Sequence, residues 1–510
     1  MTQTENDHQR IARFGLSGAK FLLHILTARG YGYFRDELYY IACSDRLAFG
    51  YVDQPPLSIL LLKLQRLVLG DSLHALRFLP AVAGAVNVYL TGLIVKEAGG
   101  GTLAQIVAMI AVLAAPEYLA LNHYYSMNSF DLLFWTLCMY QTLRALRLQR
   151  TGDWVLLGIA LGLGLMNKIS VLWLCAGIFA GLILSSYRRT FATRGPWIAG
   201  TIAAVMFLPY IGWQVQNDWA TLEFMHNATT QKMAGHSIPD FLFNQLKNMN
   251  PLSAPLWFCG LLYCFLNRAE PRLRIIGWIY AVTTAILLAS PASRSGYLAP
   301  AYTGLFAAGG IVFERFVAQR RLKIFVVTYA ALLLIAGALV LPFAVPVLPV
   351  EKYIAYAGKM GEEPSTEERK EVGDLPQFYA DMFGWRELAK QVAAVYLKLP
   401  EEERKHARIF TNNYGQAGAI EFFGKELGLP APISSHNNYW IWGPGDFNGQ
   451  VLIITGGTAE RKHALFEEVE EAAITSCSYC MPYENNKIIF ICRRAKAPIE
   501  EIWPQVKHFD

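Results

Sequence analysis

YGYFRDELYYIACSDRLAFGYVDQPPL, residues 31–57, follows the first apolar segment directly and runs into an amphipathic stretch, Ser58–Leu69. Two adjacent carboxylates, Asp36 and Glu37, are followed by a third, Asp53, beside Gln54-Pro55-Pro56, and aromatic residues surround all three. Acids next to a membrane span are costly unless they meet water, a cation or a substrate. The loop therefore reads as a reaction centre, and the remainder of the chain as its membrane housing.

Composition agrees with such a housing. Of 510 residues, 54% are hydrophobic and 17% charged, against about 25% charged in a soluble domain. A net charge of +5 is too small to argue for nucleic acid as a partner, and the charges are segregated as membrane orientation requires. Residues 1–10 are polar and no small-residue cleavage site follows the first apolar stretch. That stretch is expected to stay as an anchor.

Apolar runs fall at 12–30, 75–95, 102–121, 129–147, 154–166 with 169–186, 196–215, 252–267, 275–290, 298–314 and 324–348, about eleven spans at ~20 residues each. Basic residues collect in every second loop: Arg10 and Arg13, Lys96, then Arg144, Arg147 and Arg150, then Arg188, Arg189 and Arg194, then Arg268, Arg272 and Arg274, and finally Arg315, Arg320, Arg321 and Lys323. The positive-inside pattern puts the N-terminus in the cytoplasm. Loops 31–74, 121–128, 167–168, 216–251, 291–297 and everything after about 349 then lie on the other side. This alternation gathers Asp36, Glu37, Asp53, His123, Lys168, Glu223, His226, His236 and Arg294 onto one face.

Beyond 348 the chain changes character. After a charged run, 361–371, short apolar runs at Ala407–Thr411, Val451–Thr455 and Lys487–Cys492 alternate with helix-like segments near 384–398, 415–427 and 458–473. Such alternation predicts a small α/β domain. The fold expected is mostly α: a polytopic helical membrane domain over 1–348 and a C-terminal extracytoplasmic α/β domain over 349–510. Gly415-Gln416-Ala417-Gly418 and Gly456-Gly457 look like phosphate loops but read as turns and helix starts. Of the eight cysteines, those in apolar runs read as small buried hydrophobes. Cys477 and Cys480, in C-S-Y-C, are expected to be oxidised if the tail lies outside.

Each chemical group has two readings. Asp36 and Glu37 are a general base taking a proton from an acceptor hydroxyl, or a capping and anchoring pair. Asp53 ligates a divalent cation with a histidine from another loop, or starts an Asx turn. Arg294, in P-A-S-R-S-G-Y-L-A-P, binds a lipid-linked phosphate, or snorkels to headgroups; Lys168 has the same two readings. His226 is a metal ligand or a loop histidine, and Asp131 caps its helix or points into a cavity.

Taken in order, R-D-E-L-Y-Y-I-A, Y-V-D-Q-P-P-L, M-N-S-F-D-L-L-F-W-T-L, G-I-A-L-G-L-G-L-M-N-K and S-R-S-G-Y-L-A-P-A-Y give the chain, over roughly 12–310, a resemblance to a family. It resembles the GT-C superfamily of polytopic glycosyltransferases, in the branch of the dolichyl-phosphate-mannose protein mannosyltransferases and the bacterial lipid A aminoarabinose transferases. The resemblance implies a polyprenyl-phosphate sugar donor and an acceptor (lipid, glycan or protein) on the outer side of a cell inner membrane. It places the catalytic acid at Asp36, a metal ion at Asp53 and His226, and the donor phosphate at Arg294; Glu37 is read as catalytic beside Asp36, and Lys168 and Tyr297 as phosphate-binding beside Arg294. One departure stands out: relatives resembling the lipid A enzymes carry Lys where this chain has Gln54, which leaves Arg294 or Lys168 to compensate. The rival reading is a secondary transporter or lipid flippase using the same charges, although no internal repeat of the kind such proteins show is visible. A third reading is a sensor or assembly subunit without catalysis, with the tail as a binding module.

Overall fold

The computed structural model describes residues 3–290, 292–320 and 323–510. Pro291, at the head of the P-A-S-R-S-G-Y motif, and Arg321, in the last basic loop, lie outside the described residues. A helix stands at each apolar run read from the sequence, but the count of eleven crossings is not reproduced. Among the described residues, four helices are long and apolar enough to cross a membrane: Leu73–Glu97, Gly195–Gln216, Ser295–Arg320 and Ile324–Ala344. Two bent pairs, Val171–Ile183 with Ser186–Ala192 and Ile238–Asn248 with Pro251–Leu266, raise that to six. The run 102–121 breaks at Pro116 into Thr102–Leu113 and Pro116–Leu121, as a proline that cannot continue a helix but starts one well dictates. Thr151–Asn167 and Leu273–Leu288 are shorter apolar helices of 17 and 16 residues, at the lower edge of what a span needs.

The first helix, α1 (Gln3–Thr27), ends before Gly30-Tyr31-Gly32, where Tyr31 takes a left-handed conformation with φ 57°. A Cβ on Gly32 would stand 2.3 Å from the Met382 carbonyl oxygen, so this turn admits the tail only because it has no side chain there. The chain then enters α2 (Arg35–Ser44), almost wholly buried, and crosses the VDQPP turn into α3 (Leu57–Leu69). α3 buries Ser58, Ile59, Leu62 and Gln65 on one face and exposes Leu60, Leu64, Leu67 and Val68 on the other.

The tail forms a five-stranded sheet in the order β2-β1-β3-β5-β4. Its strands are β1 (Ala407–Thr411), β2 (Ile433–Ser434), β3 (Val451–Thr455), β4 (Phe466–Ile474) and β5 (Ile488–Ala495). β1 pairs parallel with β2 and β3, and β5 runs antiparallel between β3 and β4. The helices Trp385–Lys398 and Tyr414–Gly424 were expected, but 458–473 is not one helix. It is a short helix, Ala459–Leu465, followed by β4. The glutamates of F-E-E-V-E-E suggested a helix; on the sheet edge they find partners instead, Glu470 on Arg493, and Glu467 and Glu468 on Arg494. Cross-strand charge pairs outweigh a weak helical preference. Helix Tyr414–Gly424 lies against α2 so closely that a Cβ on Gly418 would stand 2.8 Å from the Leu38 carbonyl carbon. The tail therefore packs directly on the first outer loop.

Candidate functional site

Asp36 and Glu37, one residue apart, face opposite surroundings. Glu37 sits at the third position of α2, and its Oε2 accepts the Phe34 N–H at 2.9 Å, which caps the helix. Arg77 donates to Oε1 from Nε at 3.1 Å and to Oε2 from Nη2 at 3.0 Å, and the Tyr125 N–H donates to Oε1 at 2.8 Å. Arg77 also holds the Ala28 and Gly32 carbonyls, each at 2.8 Å. Glu37 is wholly buried and Arg77 nearly so. Glu37, expected beside Asp36 as a second catalytic acid, has both carboxylate oxygens taken by these donors and staples the first loop. His123 joins the same pocket, 3.2 Å from Arg77 Nη1.

Asp36 has a side chain 32% exposed. Its Oδ1 accepts from the Tyr414 hydroxyl at 2.9 Å and lies 3.6 Å from Arg35 Nε. Arg35 reaches on to Asp381 at 3.5 Å and, through Nη2, to Glu368 Oε1 at 3.4 Å. The same Glu368 oxygen lies 3.4 Å from Arg294 Nη2. A continuous run of alternating charge, Asp36–Arg35–Glu368–Arg294, thus joins the first outer loop to the late S-R-S-G-Y motif. Burial alone would raise the Glu368 carboxyl, but Arg35, Lys232 and Arg294 hold it at about 2. Asp381 goes the other way: burial pushes it up to about 7 despite Arg35.

Lys168 ties three of the sequence motifs together. Its Nζ lies 2.8 Å from Asn128 Oδ1 and 3.3 Å from Asp131 Oδ2, and it stands 4.6 Å over the Tyr297 ring. M-N-S-F-D, M-N-K and S-G-Y are one cluster in space. Asp131 also accepts from Ser170 Oγ at 2.8 Å, so it belongs to this cluster and not to a helix cap. Glu117 feels the charge of both Lys168 and Arg294, which brings the two candidate phosphate cations onto one patch with Tyr297.

Asp53 is part-buried, with the Tyr39 hydroxyl 3.1 Å from its Oδ1. Burial chiefly, and the charge of Asp36 after it, raise its carboxyl to about 7. The same Tyr39 hydroxyl lies 2.9 Å from Asn438 Oδ1, which also accepts the Val52 N–H at 2.8 Å. His226 is exposed on the helix Ala220–Asn227, and among the described residues it joins no group of three ligand atoms. The three-ligand group present is His436, His508 and Asp510, within 4.8 Å of one another. There the Tyr414 N–H points at His436 Nδ1 at 3.4 Å. The ring proton then sits on Nε2, facing Asp510 Oδ1 at 2.8 Å, so a neutral imidazole donates to the carboxylate, and burial lowers the His436 pKa further. Cys477 and Cys480 are joined in a disulfide.

Gln54 is wholly buried, and among the described residues its Nε2 has no hydrogen-bond partner. The cation that stands over this side of the site is Lys232, 5.9 Å above the Tyr414 ring; burial first, and then Arg35 and Arg294, lower its pKa. The sequence reading missed Arg35, Lys232, Glu368, Asp381 and Tyr414. Arg35 carried a signal, lying next to the acidic pair. Glu368 lay hidden in a charged run that reads as solvated, and Tyr414 in a tail without a motif.

Residues 53–213 match the family described as dolichyl-phosphate-mannose-protein mannosyltransferase. No curated protein matches the chain by sequence. Among solved structures, ArnT from Cupriavidus metallidurans bound to undecaprenyl phosphate is 12% identical with a TM-score of 0.58, over 94% of this chain and 97% of that one. The archaeal oligosaccharyltransferase AglB from Archaeoglobus fulgidus, in complex with an inhibitory peptide and a dolichol-phosphate, is 11% identical with a TM-score of 0.54, over 86% of this chain and 69% of that one. Likeness at such low identity speaks to the fold. The chain thus has the membrane fold shared by ArnT and AglB, the GT-C fold its motifs led one to expect, and it resembles the dolichyl-phosphate-mannose-protein mannosyltransferase branch.

Proposed function

We propose that the protein is a membrane glycosyltransferase that moves a sugar from a polyprenyl-phosphate donor to an acceptor hydroxyl on the outer side of a cell inner membrane. The N-terminus is cytoplasmic and the tail extracytoplasmic in this reading, and lipid, glycan and protein all remain acceptor classes. The observation that carries it is the charge run Asp36–Arg35–Glu368–Arg294, which sets a part-exposed carboxylate beside a patch of cations. Asp36 takes the acceptor proton as the anomeric carbon is attacked. Arg294, Lys168 and Lys232, with Tyr297, hold the leaving phosphate as its charge grows. The undecaprenyl phosphate bound to ArnT and the dolichol-phosphate bound to AglB support a lipid phosphate as the donor's carrier.

A divalent cation at Asp53 belongs to the proposal. Burial and the charge of Asp36 make Asp53 costly to ionise, and an oxygen-seeking cation bound to its carboxylate would offset that cost. When bound, it would supply positive charge to the developing phosphate. His226 has no part in it.

Purified full-length protein in liposomes, given a labelled polyprenyl-phosphate sugar and an envelope-lipid acceptor extract, should release polyprenyl phosphate only when acceptor is present. Movement of intact donor across the bilayer without cleavage would favour the flippase. A reporter fused after Asp510 that is active only in the cytoplasm would overturn the orientation.

A further inference from the structure

Asp36 is aimed from the tail. Its Oδ1 takes the Tyr414 hydroxyl at 2.9 Å and lies 3.6 Å from Arg35 Nε. Among the described residues no donor meets Oδ2, which is left for an incoming hydroxyl. Tyr414 itself is fixed from every side. It opens the helix Tyr414–Gly424, capped by Asn413, whose Oδ1 accepts the Gln416 N–H at 2.9 Å. Its ring is 7% exposed. Tyr39 and His436 pack on it with centroids 4.8 Å away, and the Arg35 guanidinium stands 5.4 Å over it. A phenol held this firmly can hold what it donates to.

We propose that Tyr414 is a positioning residue for Asp36, so that the C-terminal domain completes the reaction centre as well as covering it. The inference rests on the reading of Asp36 as the base. Burial, and the charge of Asp36 itself, push the Tyr414 phenol well above its ordinary value against the pull of Arg35. It therefore stays an O–H donor through the physiological range. Its donation favours the ionised carboxylate and fixes which oxygen faces the acceptor.

The test uses full-length protein in liposomes, with turnover of labelled polyprenyl-phosphate sugar followed across pH. Tyr414→Phe keeps the packed ring and removes the donor. Its kcat should fall about 10- to 100-fold, the factor that loss of a hydrogen bond to a charged group corresponds to, with the donor KM unchanged. The acid limb of the pH profile should move to higher pH by roughly one unit, because the base loses a stabiliser of its charged form. The other groups facing Asp36 are Arg35 and Tyr40 on its own helix, Asp53, Tyr124 and Asp381; none of them is altered. 3-Fluorotyrosine at 414, a stronger donor of nearly the same size, should move the limb to lower pH. That variant decides the matter if Tyr414→Phe does not fold. A role in packing alone would lower stability and leave the limb in place. An inactive Asp36→Asn beside an unmoved limb in the Tyr414 variants would overturn this inference alone. Full turnover in Asp36→Asn would overturn the base reading and this inference with it.

Discussion

Around Glu37 each carboxylate oxygen takes two donors, at 2.8–3.1 Å, and the partner Arg77 is buried with it. Around Asp36, one residue earlier, the ionic contacts run at 3.4–3.6 Å through Arg35, Glu368 and Arg294, and two atoms of that cluster, Arg35 Nε and Asp381 Oδ1, have no hydrogen-bond partner among the described residues. A saturated, closed network spends all its capacity on holding the protein together. A loose one, part open to solvent, has capacity left for a ligand, because buried polar groups left short of partners are costly until something meets them. The two halves of one acidic pair therefore differ in surroundings, Glu37 closed and Asp36 open, and the roles proposed for them rest on that difference.

Asp36→Asn should show the largest effect on chemistry. Turnover should drop on the order of 10²–10⁴-fold, the contribution of a positioned general base, while thermal stability stays near wild type. Glu37→Gln should do the reverse. It leaves Arg77 buried without a countercharge, which costs about 3–5 kcal/mol, and a thermal scan in detergent should show the loss directly. Equal destabilisation by both substitutions would break the comparison.

The sequence showed the apolar membrane helices and the sheet-bearing tail, because apolar length and motif order are local signals. It also grouped Asp36, Lys168 and Arg294 on one face through the positive-inside rule. What it could not separate was Asp36 from Glu37, since adjacent residues on a helix differ by about 100° in direction and only the tertiary partner Arg77 tells them apart. The count of eleven crossings came from apolar length alone, which does not register the break at Pro116 or the ends of the 16- and 17-residue helices. The tail's contribution was invisible because Tyr414 and Glu368 work by contact with residues more than 300 positions away.

On the loose side of the comparison, Arg294→Ala should weaken donor binding by about 1.5–3 kcal/mol, the worth of a hydrogen bond to a charged group. Arg294→Lys should recover part of it, keeping the charge but not the planar fork. Titration with labelled polyprenyl-phosphate sugar measures both. Unchanged affinity in Arg294→Ala would confine Arg294 to its pairs with Glu367 and Glu368.

The smallest effect, and the one that sharpens the comparison most, belongs to Asp53. Its carboxyl sits at about 7 in the folded protein, above the ~3.9 of an unfolded chain. Ionising it therefore works against folding. The stability it contributes is fully present below about pH 4 and is lost as pH rises through 7. Asp53→Asn cannot ionise, so its melting temperature should match wild type near pH 4, rise above it progressively up to pH 7, and hold a constant lead beyond. Asp381, also at about 7, keeps its own share of the pH dependence in both proteins, so the difference isolates Asp53. Turnover should fall less in Asp53→Asn than in Asp36→Asn. A divalent cation added above pH 7 should raise the melting temperature of wild type and not of the variant, because it meets a charge that only wild type carries. A lead that stays at zero across the whole range would mean that Lys232 and the Tyr39 hydroxyl already satisfy Asp53. Asp53 would then belong with Glu37 among the closed, structural acids, and the open side of the loop would narrow to Asp36 alone.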